Sequence, residues 1–385
     1  SSEAAPGLHQ KLSRLPPISG LVPDGKGQQS ALAWFLAGAV LADVPPELGH
    51  LHFYDPPGQA RRTATDGLAA IEWLHAPAND LGRARFWMEL EASATAMTSA
   101  ERDRHLAYAL LCAGAMVHLL SDVGSPSRAR GDLAEHSRNL GAGPLDQGSR
   151  FERLAALLYG RLGVPAASPP ERRVRLRDFF TSADGRGLAD LTARSWFSSG
   201  TLPDAVDLPV GTTTPAVAMP PPRRFLSPWP TDEDLRTATV GGAVFRNSAG
   251  VCLARSQRVN DRVTWSLPDD CAVEQLAAIL PTVGAFAHGF LDWLFRGSLR
   301  VTATNEVLAG DLALGEGTLR VYAEAKDGAR SLLGEPLRIA KANAGAFLAK
   351  LAPPAAGTVR IVAVFRGIDH VGEEVVALAQ LPVGK

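Results

Sequence analysis

Apolar side chains recur at helical spacing through much of the first 298 residues and at a spacing of two after that. In residues 28–42, Ala31, Trp34, Phe35, Gly38, Leu41 and Ala42 follow a helical repeat, which Asp43 and the prolines at 45 and 46 bring to an end. Gly38 on that face would let a neighbouring helix come close. Helical patterns return over 67–75, 79–96 and, most clearly, Ser99–Asp122, which opens on the capping box Thr98-Ser-Ala-Glu101. Shorter ones cover 151–160 and 174–180. Residues 271–295 form a long apolar repeat whose internal Pro281 predicts a kink.

Other stretches break this rhythm. Residues 201–232 are rich in Pro and Thr, including Pro220-Pro-Pro222, and read as an extended connector. Two β-like runs within 240–267 are punctuated by Asn-Ser-Ala-Gly and Asn-Asp turns, which predicts a small hairpin inserted into the helical unit. Beyond 298, the runs 299–304, 317–323 and 358–365 alternate at a period of two between Gly, Asn, Asp and Pro breakers, as strands of a sandwich do. The expected fold is a mainly α-helical bundle over 1–298 with an inserted β-hairpin, followed by an all-β sandwich over 299–385.

Composition narrows the functional classes. With 39 Lys+Arg against 40 Asp+Glu, the net charge is −1, too little to capture nucleic acid or an anionic membrane by field alone. No nucleic-acid partner is expected. No run of about 18 uncharged apolar residues occurs, so no segment is expected to span a bilayer. Cys112 lies in an apolar run and reads as a core thiol. Cys252 and Cys271 are close enough in sequence to pair in an oxidising compartment, although separation alone leaves that open. The chain opens Ser1-Ser2-Glu3-Ala4-Ala5-Pro6-Gly7 without Met, a start that fits a removed export signal, a lipid-modified neighbour or simple trimming. The β region carries no motif that names a protein partner.

The candidate chemistry lies in His118 and Asp122, one helical turn apart and therefore on one face. An imidazole nitrogen and a carboxylate oxygen so placed can converge on one ion, or simply bond to each other. Asp43, His52 and His9 are further candidates. Each has a plainer reading, as a helix-end acid, a loop packing residue and an exposed terminal side chain. His50, His75, His105, His288 and His370 read as packing or surface histidines.

In order, His9-x-x-Leu-Ser13, Ala42-Asp43-x-Pro45, His52-Phe-Tyr-Asp-Pro56 and Gly114-x-x-x-His118-x-x-x-Asp122-x-x-x-Pro126 resemble the zinc-dependent phospholipase C family and its relatives, the single-strand-specific zinc nucleases. The likeness spans most of the first 200 or so residues and extends to segments of secreted bacterial members. It implies a helical bundle holding up to three zinc ions, with His9, Asp43, His52, His118 and Asp122 as ligands. Asp43 would also orient or deprotonate the attacking water. The implied substrate is a phospholipid or another phosphodiester, and the implied location is outside the cytoplasm: periplasmic, anchored to the outer membrane, or extracellular. Clustered divalent ions suit that chemistry, because they acidify bound water and stabilise charge on a phosphoryl group.

The chain departs from the family pattern six residues after Asp122, where a second His is called for and Arg128 stands, since a guanidinium has no lone pair to give. The next family pair, a His followed four residues later by an acid, is also out of register, because Gly148 precedes Glu152 at that spacing. Fewer than three ions are therefore expected, down to none. Arg128 and Arg130 either bind a substrate phosphate oxygen or form salt bridges with Asp122, Asp132 or Glu135. The functional expectation is an exported phosphodiester hydrolase with a reduced zinc site. The competing expectation is a non-catalytic cell-surface binding or assembly protein on the same scaffold.

Overall fold

The computed structural model describes residues 29–43, 52–54, 70–77, 79–132, 135, 148–163, 168–211, 235–236, 244–304, 307–312, 315–340 and 346–383. In chain order the helices are α1 (Ala31–Leu41), α2 (Ala70–His75), α3 (Arg83–Thr95), α4 (Ser99–Asp122), α5 (Pro126–Ala129), α6 (Arg150–Leu157), α7 (Leu176–Phe180), α8 (Leu188–Ser195) and α9 (Asp269–Leu294). Thr98 caps α4 as its sequence predicts, its hydroxyl accepting from the Glu101 N–H at 3.2 Å. Ser30 does the same for α1. α9 runs through Pro281 as a single helix.

The helices share one core, in which Phe86, Trp87, Leu110, Met116, Phe179, Phe290 and Trp293 are buried. Burying each large apolar side chain contributes about 1.5–3 kcal/mol. α4 and α9 are long and apolar enough to cross a membrane, but 67% of the most apolar stretch of each is buried inside the fold. Their apolar surface is thus spent largely on the core. Cys112 belongs to this core, and burial pushes its thiol up to about 12, which keeps it inert.

α1 crosses α4 with almost no gap, because glycine faces backbone on both sides. A Cβ on Gly38 would lie 1.9 Å from the Leu111 carbonyl oxygen, and one on Gly114 would lie 1.8 Å from that of Phe35. Gly114→Ala must separate the helices and is expected to cost about 3 kcal/mol, towards the top of the overpacking range. It should also weaken any ion held between Asp43, just beyond α1, and His118 on α4. Urea denaturation and a metal titration of the variant check both effects.

The expectation of a mainly helical bundle is overturned. The described residues form nine helices and three antiparallel sheets, a mixed α and β fold with a β region at its C-terminal end. The anticipated hairpin is the centre of a five-stranded sheet. Its strands are β1 (Val206–Asp207), β2 (Leu235–Arg236), β3 (Val244–Asn247), β4 (Cys252–Val259) and β5 (Arg262–Ser266), in the order β1-β5-β4-β3-β2. β1 and β2 are two residues long, too short for any periodicity, so only their pairing defines them. β4 and β5 meet across Asn260-Asp261, with Asn260 at φ 56°. A disulfide joins Cys252 on β4 to Cys271 in the first turn of α9.

Two further sheets follow α9. The larger has the order β10-β8-β12-β13, with β9 paired to β8, from β8 (Glu316–Ala325), β9 (Arg330–Leu332), β10 (Leu337–Ile339), β12 (Thr358–Ile368) and β13 (Glu374–Pro382). The smaller runs β11-β7-β6, from β6 (Leu299–Thr304), β7 (Val307–Leu312) and β11 (Ala346–Lys350). β12 is buried on both faces. Ile361, Ala363 and Phe365 join the core between the two sheets, while Val362 and Val364 pack with Ala94 of α3. Glu91 of α3 bonds Arg320 at 3.0 Å and Arg366 at 3.3 Å across the same junction. The β region is therefore packed and ion-paired against the helices.

Candidate metal centre

The α1–α4 crossing decides what can meet at its end. Asp43 lies two residues beyond α1, and His118 and Asp122 occupy the last turns of α4. His52 arrives on a short strap held by backbone bonds from Tyr54 N to Arg128 O at 3.1 Å and from Ala70 N to Phe53 O at 2.9 Å. The Tyr54 hydroxyl fastens the strap again, lying 3.0 Å from both Thr181 Oγ1 and Asp190 Oδ1. The His52 ring meets Trp73 and His118 edge to face, with centroids 5.6 and 5.4 Å away.

Asp43, His52, His118 and Asp122 each place one donor atom within 4.8 Å of the others. His52 Nδ1 is 2.9 Å from Asp122 Oδ2 and 3.4 Å from Asp43 Oδ1. His118 Nε2 is 3.1 Å from Asp122 Oδ2 and 3.2 Å from Asp43 Oδ2. Bonds of 2.0–2.2 Å in a tetrahedron put neighbouring donors about 3.4 Å apart. The four distances, 2.9–3.4 Å, reach two different oxygens of Asp43, so they bring the donors close together without tracing one tetrahedron. His118 Nε2 is closed to solvent and lies between the two carboxylates, so the same nitrogen can donate to them when protonated or give its lone pair to an ion when neutral. The group can therefore bind a single metal ion.

Electrostatics keep the site charged. Burial alone would push the Asp122 carboxyl up, but the Arg128 guanidinium and His118 outweigh it and hold Asp122 well below the usual carboxylate range. Burial likewise opposes charge on His118, yet Asp122 and Asp43 raise its pKa to about 10. Without an ion, the His118 imidazolium is the positive charge between the two carboxylates. Asp43 is held below its ordinary value, its burial outweighed by the hydrogen bond from His118. Its side chain remains 45% exposed, the most open of the four ligand candidates.

Four of the five ligands implied by the resemblance thus come together, while His9 and the neighbouring His50 lie outside the described residues. Arg128 is buried, its Nη1 3.3 Å from Asp122 Oδ2 and its Nε 2.6 Å from Glu152 Oε1, with the Phe53 ring against it. Arg130 is fully buried elsewhere. It donates to Thr201 Oγ1 and the Trp196 carbonyl at 3.0 Å and to the Ala193 carbonyl, and it stacks on Phe197. Asp132 accepts from the Gly200 N–H at 2.7 Å and Glu135 from the Ser199 N–H at 2.9 Å.

Sequence reasoning met Glu152 only as an acid out of register with the family pattern and gave no role to Tyr54 or Asp190. The first had a legible signal, because Ser149-x-x-Glu152 is a capping box that opens α6. The other two meet across 136 positions and carry none. His105 bonds Glu89, His288 approaches Asp292, and His370 is exposed, all away from the cluster.

Fold and site together define a mixed α and β protein with a metal-ion-type cluster of two histidines and two aspartates where two helices cross. No protein-family model, curated protein or solved structure matches the chain.

Proposed function

We propose that the chain is an exported protein holding one zinc ion and hydrolysing phosphodiesters, phospholipid head groups among them. The observation that carries this reading is the Asp43–His52–His118–Asp122 cluster. Two imidazole nitrogens beside two carboxylates suit zinc better than magnesium or calcium, which take six or more oxygens. The ordered motifs around these residues, similar to those of zinc-dependent phospholipases C, supply the reaction class. The Cys252–Cys271 disulfide supports an oxidising compartment.

When bound, zinc would acidify water and polarise a phosphoryl oxygen. His52, His118 and Asp122 are the least exposed donors and would hold the ion, which leaves the half-open Asp43 carboxylate to orient a water and take its proton at Oδ1 or Oδ2 rather than close the fourth position. Arg128 already shares its guanidinium between Asp122 and Glu152, so it positions the ligand Asp122. That same engagement, together with Arg130's, favours a second reading, a metal-stabilised binding or assembly protein without turnover. The near-neutral net charge disfavours nucleic acid as a partner for either.

Elemental analysis should find about one zinc per chain, and a chromogenic phosphorylcholine diester should be hydrolysed with zinc and not after chelation. His118→Ala should stay folded and lose both ion and turnover. Tight zinc without turnover selects the second reading, and less than a tenth of an ion per chain after zinc addition rejects both.

A further inference from the structure

We propose that Arg128 is the fixed second cation of this site and limits it to a single divalent ion. The inference rests on the reading of the four-residue cluster as a metal centre. Carboxylates and cations alternate along one chain of contacts. The ligand candidates Asp43 and Asp122 flank His118, and beyond Asp122 Oδ2 the Arg128 guanidinium reaches across to Glu152 Oε1. Three carboxylates therefore face one guanidinium and, with both histidines neutral and ligating, one divalent ion. Counted over these groups alone, their charges cancel. A further divalent ion beside Arg128 would add like charge in a site where water screens poorly.

Arg128 is also held in place. Only 5% of it is exposed, the Phe53 ring lies against the guanidinium, and a guanidinium does not deprotonate to make room for a metal. Glu152 is fixed in turn. Its Oε2 accepts from the Ser149 N–H at 2.8 Å while Oε1 serves Arg128 at 2.6 Å. The residue four positions earlier is Gly148 at φ 90°, and a Cβ there would come within 2.3 Å of Glu152 Oε2. At this positive φ a side chain at 148 would be strained, so the backbone disfavours a ligand beside Glu152 there. Glu152 is thus a positioning residue that acts on the metal centre through Arg128, and removing the guanidinium should turn Asp122 and Glu152 into a latent second ion site.

The test is zinc stoichiometry and affinity by equilibrium dialysis of the metal-depleted full chain, with folding followed by circular dichroism. Wild type and Arg128→Lys should bind one ion. Arg128→His, which offers an imidazole beside Glu152, should bind two, and adding Glu152→Gln to it should return the count to one. Wild type binding two ions, or a folded Arg128→His binding one, overturns the proposal. Should Arg128→His fail to fold, Glu152→Gln alone decides. It keeps Arg128 and all four ligand candidates but removes one compensating carboxylate, and it should weaken zinc about tenfold or more, the scale seen for groups that orient metal ligands. A helix cap with no link to the site would change stability and leave affinity unaltered, which also overturns the proposal. Wild type binding no zinc at all rejects the metal-centre reading instead.

Discussion

Replacing Asp122 with alanine is expected to abolish tight metal binding and to destabilise the fold by about 3–5 kcal/mol, the cost of breaking a buried ion pair. One carboxylate oxygen, Oδ2, serves three partners: His52 Nδ1 at 2.9 Å, His118 Nε2 at 3.1 Å and Arg128 Nη1 at 3.3 Å. Its loss takes a counter-charge from a guanidinium that cannot move into water. Asp122→Asn separates charge from shape, since it preserves volume while removing the negative charge, and it should still lose zinc affinity by a hundredfold or more. Urea denaturation and zinc titration of both variants read these effects. A change of less than 1 kcal/mol for the alanine variant would show that the network does not hold the α4 end together.

Zinc binding near pH 7 is expected to release about one proton per ion, and apparent affinity should rise about tenfold per pH unit up to a pH of about 10. The proton comes from His118, whose imidazolium is held between Asp122 and Asp43 and must become neutral to ligate. Its pKa is raised, so in the metal-free protein the stability from that ion pair is complete below the ordinary histidine value of 6.5 and lost as pH climbs through about 10. Between those values metal-free protein should lose about 1.4 kcal/mol per pH unit. Asp122 and Asp43 are depressed, so their contribution is present above pH 3.8 and fades as pH falls further. Calorimetry of zinc binding in buffers of different ionisation enthalpy measures the proton count. His118→Gln should abolish the alkaline slope, and a slope unchanged in that variant would assign the proton elsewhere.

Much of the helical layer is legible because its signals are local. The Thr98 cap, the apolar repeat through Ser99–Asp122 and the long repeat ending near 295 each reside in a few consecutive residues, and each corresponds to a helix. The one-turn spacing of His118 and Asp122 is local in the same way. Sheets are less legible because pairing is not local. β1 and β2 exist through partners on β5 and β3, and β12 is buried on two faces only because α3 covers the second. A reading that saw a bundle with a hairpin was therefore counting only the strands long enough to show a period.

Chain order alone determined the candidate donor types, the pair one turn apart and the presence of an arginine, which has no lone pair to give, six residues beyond Asp122. Only tertiary structure decided that Asp43 and His52, separated from His118 by 75 and 66 positions, reach the same point. The reason is steric and electrostatic. Two glycines remove the side chains that would hold α1 off α4, a tyrosine and an aspartate far apart in sequence pin the His52 strap, and Arg128 takes up the charge of Asp122 and Glu152. None of these contacts leaves a repeat in the sequence, because each is made by residues that come together only once the helices have packed.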